Sequence, residues 1–98
     1  MLPFTAPLIA ATVLMAADIQ PPPARYDHAP TVRMQVIEGT KAQIQRVCRM
    51  ASGYHGGRHI LSCAIPSKGL CIIVWPRGMK RSGWLWKHER AHCNGWRH

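Results

Sequence analysis

The sequence is short of acid. Four carboxylates, Asp18, Asp27, Glu38 and Glu89, stand against 13 lysines and arginines, a formal balance of +9. In so acid-poor a chain, a carboxylate placed between two histidines, as Glu89 is, needs a reason. The excess of cations implies attraction to anionic surfaces: nucleic acid, lipid head groups or an acidic partner. A dense basic run is missing, however. The cations are scattered from Arg25 to Arg97, and pairs such as Lys80-Arg81 read as solvated surface. A long apolar run is missing too: the uncharged stretch at residues 1–17 is shorter than the ~20 residues of a membrane-spanning helix. No internal repeat is visible. With 98 residues the chain has room for one modest core. Its 47% hydrophobic and 17% charged residues exclude disorder throughout.

The cysteines lack zinc-ribbon spacing. Cys48, Cys63, Cys71 and Cys93 include no two separated by two to four residues, as a structural zinc site would need. Four cysteines in a short exported chain imply two disulfides, with three pairings open. Export itself is read from residues 1–17, MLPFTAPLIAATVLMAA, an apolar segment rich in Ala and Leu, with Ala16 and Ala17 before the cut. Pro3 and Pro7 make it a poor buried helix. It is read as a signal peptide, which implies a periplasmic or secreted protein with no transmembrane span beyond that segment.

Residues 18–31, DIQPPPARYDHAPT, are rich in proline and read as an extended arm. The domain proper is then residues 32–98. Val32, Met34 and Val36 alternate with Arg33, Gln35 and Ile37, the pattern of a half-buried strand ended by Gly39. Thr40 and Gln43 have capping-box spacing, and Ile44, Val47 and Cys48 follow at helical spacing, predicting a helix over 41–51. Residues 52–59 hold three glycines and read as a loop. Ile60–Ile65 is a second strand, Pro66-Ser67-Lys68-Gly69 a turn, and Leu70–Trp75 the strongest strand of the chain. A last helix is predicted from Trp84 to Asn94, with Ser82 at its N-cap and Gly95 ending it in a left-handed turn. The fold class is α+β: a small single domain with a short antiparallel sheet and a C-terminal metal-binding helix.

That helix carries the chemistry. His88-Glu89-Arg90-Ala91-His92 matches H-E-x-x-H. Residues four apart on a helix project from one face about a turn apart, so the two imidazoles can reach one ion. Glu89, next to the first histidine, is placed to take a proton from an attacking water and pass it to a leaving amine.

In these residues the chain resembles the zincin metallopeptidases. His88, Glu89, His92, Gly95 and His98 fit the longer metzincin pattern H-E-x-x-H-x-x-G-x-x-H. The ending Gly95-Trp96 is also similar to that of small bacterial chains classed as metallopeptidases with H-E-x-x-H-x-x-G-W. The resemblance spans residues 88–98. It implies a Zn2+ cofactor held by His88, His92 and His98, with Glu89 as general base and Gly95 as the turn that returns the third histidine. The substrate would be a peptide or protein, hydrolysed by a zinc-activated water. It also suggests that Cys71–Val74 is an edge strand binding extended substrate by β-augmentation.

Other residues have plainer readings. Trp75, Trp84, Trp86 and Trp96 read as core and helix packing. His55 and His59 have Gly56 and Gly57 between them and lie in a loop, and His28 reads as exposed on the arm. Arg90 reads as solvated, and Cys93 as a disulfide partner pinning the helix. Two rival functions stand beside the peptidase. One is a non-catalytic zinc-binding or structural envelope protein. The other is a basic nucleic-acid-binding module whose H-E-x-x-H is accidental.

Overall fold

The computed structural model describes the backbone of residues 12–15 and all of residues 21–97. Most of the expected signal segment and His98 lie outside the described residues. Strand β1 is Thr12–Met15, and a single 3-10 turn follows at Ala24–Tyr26 in the arm. The domain then runs β2 (Arg33–Gly39), α1 (Lys41–Ser52), β3 (Ile60–Ser67), β4 (Leu70–Pro76) and α2 (Gly83–Cys93).

Local chemistry sets these boundaries. At the start of α1 the Gln43 N–H donates to Thr40 Oγ1 (3.2 Å), and the Thr40 N–H donates to Gln43 Oε1 (2.8 Å). The capping box therefore satisfies two amides that the helix itself cannot. Gly53 ends α1 in the left-handed conformation, at φ 74°. Ser82 does occupy the N-cap of α2, but its side chain makes no capping bond.

The sheet order is β1-β3-β4-β2. β3 and β4 form the antiparallel hairpin expected from the Pro66–Gly69 turn. β2, however, lies parallel to β4, with Val36 opposite Ile73. The expected all-antiparallel sheet is thus mixed. A parallel neighbour needs a long connection, and α1, its following loop and β3 together supply it between β2 and β4. β4 is consequently a central strand, paired on both sides over most of its length. It has no free edge for a substrate, and the β-augmentation reading of Cys71–Val74 is corrected on that ground.

Strand alternation deals side chains to two faces. On one, Ile44 and Cys48 of α1 pack with Ile60, Cys63 and Val74. On the other, Leu85 of α2 packs with Ala64, Cys71, Ile73 and Trp75, flanked by Met34 and Val36 of β2. Each face is cross-linked once: Cys48–Cys63 ties α1 to β3, and Cys71–Cys93 ties β4 to α2. Each bridge closes a loop of modest length and should contribute about 3 kcal/mol by restricting the unfolded chain. For so small a core that is a large share of net stability. Two disulfides are the mark of an oxidising, extracellular type of compartment. Among the described residues no helix is long and apolar enough to cross a membrane.

Candidate metal centre

The buried face of α2 consists of Leu85, His88, Glu89, Ala91 and His92. The H-E-x-x-H residues therefore look inward. His88, Glu89 and His92 are 0%, 0% and 1% exposed.

The two histidines converge. Their Nε2 atoms lie 3.1 Å apart and their ring centroids 4.8 Å apart, at an interplanar angle of 78°. His92 Nδ1 lies 2.7 Å from the Trp96 carbonyl oxygen. A carbonyl only accepts, so that nitrogen carries the hydrogen, and in the neutral ring His92 Nε2 keeps its lone pair. The short contact between the rings is then a hydrogen bond donated by His88 Nε2.

Gly95 makes the Trp96 contact. At φ 99° it adopts the left-handed conformation. Its N–H donates to His92 O (3.1 Å), and the Trp96 N–H donates to Ala91 O (3.2 Å). This pair of bonds is a Schellman ending. It folds Trp96 back along the helix, where the indole stacks on His92 (5.0 Å, 11°) and stands edge-on to His88 (4.9 Å, 69°). The metzincin pattern expects Gly95 to return a histidine to the metal. Within the described residues, what it returns is Trp96. Among those residues no group of three or more His, Cys, Asp or Glu that could hold a metal is present.

Glu89 is held from the sheet side. Ser62 of β3, itself fully buried, donates its hydroxyl to Glu89 Oε2. The other oxygen, Oε1, is buried and has no hydrogen-bond partner among the described residues. Burial pushes the carboxyl from its ordinary 4.5 up to about 8, with the Ser62 hydrogen bond pulling the other way. Desolvation wins because one hydroxyl cannot replace the hydration of a carboxylate. Near neutral pH Glu89 is thus mostly a neutral acid, able to give a proton and to take one back.

The arm docks on the same helix. Asn94 Nδ2 donates to the carbonyls of Tyr26 and His28, both at 2.8 Å, and Arg90 pairs with Asp27 at 3.2 Å. Arg90 is therefore not solvated as its position suggested: its side chain is 23% exposed, and Nε is buried with no partner among the described residues. His28 is exposed, as expected, and so are His55 and His59 in their loop. Of the tryptophans, Trp75 is buried and meets Trp86 edge-on at 5.1 Å, whereas Trp84 is half exposed.

Two contributors escaped the sequence reading. Ser62 sits in phase with Ala64 and out of phase with Cys63, so a polar residue on an inward position was there to be noticed. The Trp96 carbonyl carried a weaker sign, since the residue after a C-terminal glycine commonly folds back on its helix. No protein-family model matches the chain, and no curated protein or solved structure proves similar to it.

Proposed function

We propose that the protein is a zinc-dependent metallopeptidase in which His88 and His92 hold the ion and Glu89 handles the proton. One observation carries the reading: two buried imidazole nitrogens from successive turns of α2 face each other at 3.1 Å beside a buried carboxyl group. Two nitrogens each ~2.0–2.1 Å from one tetrahedral ion lie about 3.3 Å apart, so the pair fits that donor set with little movement. Export to a periplasmic or extracellular space, with residues 1–17 as the signal peptide, belongs to the same proposal. So does His98 as third ligand.

When bound, zinc supplies Lewis acidity that polarises a peptide carbonyl and acidifies a water. The chain's own groups have separable tasks. The Trp96 carbonyl fixes the His92 tautomer and ring orientation, as outer partners of metal-binding histidines do. Ser62 holds one oxygen of Glu89 and leaves Oε1 as the atom that exchanges a proton. A carboxyl with a pKa near the working pH is suited to accepting a proton from water and returning it to a leaving amine.

The burial of all three motif residues favours a second reading, a zinc site that supports the fold without catalysis. Zinc content per chain, measured on wild-type protein and on His88→Ala, His92→Ala and His98→Ala, tests the metal. About one zinc per chain, lost in the first two variants, is expected; none after zinc is added back to folded protein would overturn both readings. Glu89→Gln then separates them. Under the peptidase reading it keeps zinc and loses hydrolysis of peptide substrates. Under the structural reading only stability changes.

A further inference from the structure

β2 and β4 run parallel, so their C-terminal ends, Gly39 and Pro76, lie side by side. The chain leaves both strands at the same end of the sheet. From Gly39 it enters α1 at Lys41, and from Pro76 it passes through residues 77–82 into α2 at Gly83. This end therefore collects the starts of both helices and the connection between β4 and α2.

It is apolar and cationic at once. Met79 and Trp84, 40% and 50% exposed, line one shallow cavity together with Lys80. Met79 also borders the neighbouring cavity, which Lys41 and Arg77 help to line. Lys41, Arg77 and Lys80 are all exposed. Carboxylates do not offset them. Neither helix has an acid in its first turn. Among the described residues Glu38 pairs with Arg81 at 2.8 Å, Asp27 pairs with Arg90, and Glu89 is buried.

The exposure is built into the fold. The Arg77 N–H donates to Gly39 O (2.9 Å), the Met79 N–H donates to Pro76 O (3.2 Å), and Trp75 Nε1 donates to Met79 O (2.9 Å). The buried indole of Trp75 thus fixes the Met79 backbone from inside. Single exposed hydrophobic side chains are ordinary on a protein surface, but neighbouring ones set among cations mark an interaction site. The mixture selects the partner. A nucleic-acid backbone rewards an array of cations, and Met79 would gain little against it. An anionic bilayer rewards both kinds of side chain. Tryptophan and aliphatic groups enter the boundary between head groups and acyl chains, while lysine and arginine meet the head groups.

We infer that this end of the sheet docks the folded domain on an anionic phospholipid surface, with Met79 and Trp84 inserted and Lys41, Arg77 and Lys80 against the head groups. The contact is peripheral and depends on neither zinc nor the peptidase reading.

The test uses the full chain in chelator, with vesicles of phosphatidylcholine alone or mixed with an equal part of phosphatidylglycerol. Every variant keeps residues 1–17, so a difference between proteins reports the sheet end and not that apolar segment. Wild type should bind mixed vesicles in preference to neutral ones by cosedimentation. Arg77→Gln with Lys80→Gln should weaken that binding at least about tenfold, because each basic residue near such a surface is worth roughly fivefold. Met79→Ser with Trp84→Ser keeps the charge and should also weaken it at least about tenfold. On the unaltered protein, lipids brominated in the acyl chains should quench tryptophan fluorescence, and Trp84→Phe should remove most of the quenching. That readout stands even where a double variant fails to fold. No preference for mixed vesicles, folded double variants that bind as wild type does, or quenching that survives Trp84→Phe would each overturn the inference. So would tight binding of single-stranded RNA that Arg77→Gln with Lys80→Gln abolishes and Met79→Ser with Trp84→Ser leaves unchanged, which would assign this end to nucleic acid.

Discussion

Glu89 should make the metal-free protein lose stability as pH rises. The folded pKa, about 8, lies above the ordinary 4.5, so between these values the folded state binds more protons than the unfolded state. Stability then falls with pH. The contribution is fully present below the unfolded pKa and is lost as pH climbs toward the folded one. Each unit is worth about 1.36 kcal/mol, so the cost at pH 7 is roughly 3 kcal/mol, and about 5 kcal/mol once pH passes 8. The group is fully buried, so solvent screening does not reduce this much, although structural relaxation would. Glu89→Gln removes the titration while keeping an oxygen for the Ser62 hydroxyl to donate to. Denaturant midpoints of chelator-treated wild type and variant, taken at half-unit steps from pH 5 to 8.5, measure the effect. The difference between the two curves isolates Glu89, because other titrating groups are common to both. The variant should gain on wild type by about 1 kcal/mol per unit across that window. Parallel curves would refute the reasoning, because they would mean that Glu89 is ionised and solvated in the folded chain.

Three further outcomes follow from the same contacts. Cys71→Ser with Cys93→Ser frees α2 from β4 and should lower stability by about 3 kcal/mol in denaturant titrations; if His92 holds zinc as proposed, zinc binding should weaken alongside, because Cys93 adjoins it. Gly95→Ala meets no atom within 4 Å, so its cost is the left-handed backbone alone, about 1–2 kcal/mol; a fall in melting temperature is the readout, and an unchanged melt would count against the Schellman ending. Asn94→Ala removes the donor shared by Tyr26 and His28, and limited proteolysis should then cut within residues 21–31 before the domain, at a rate well above wild type.

Much of the fold was legible because local and tertiary preferences agree. Thr40 and Gln43 announce α1, alternation announces β2, and the Pro66–Gly69 turn announces the β3–β4 hairpin. The four cysteines implied two bridges, and Cys93 as the pin of the last helix is what Cys71–Cys93 makes it. The parallel placement of β2 was not legible. Alternation fixes which side chains share a face, but the same pattern serves a strand beside β4 in either direction. The connection decides, and its length alone permits both.

The candidate site shows a different limit. Spacing tells that His88 and His92 share a helix face, and it does so whether that face meets solvent, a cleft or a sheet. What turns the motif inward is its phase relative to the apolar residues: Leu85 lies three before His88, Ala91 one before His92, and Trp96 four after it. Those positions form one stripe with the histidines, so the helix cannot bury Leu85 against Trp75 without burying His88 and Glu89 too. That coupling gives the site its chemistry. A carboxyl placed by helical phase on an apolar face must either ionise at great cost or stay protonated, and among the described residues one serine on β3 is the only hydrogen-bonding neighbour of its carboxyl oxygens. Ser62→Ala would remove that neighbour, leaving both oxygens unpartnered at a cost of about 1–3 kcal/mol. Leu61→Ala, by contrast, alters a half-buried apolar side chain one residue away. On the proposed peptidase reading, if the serine positions Glu89, hydrolysis should fall in Ser62→Ala by far more than in Leu61→Ala at equal folded fraction and equal zinc content, and Ser62→Thr should restore much of it. Equal losses in the two alanine variants would mean that β3 serves only as a wall, and that the carboxyl finds its orientation from α2 alone.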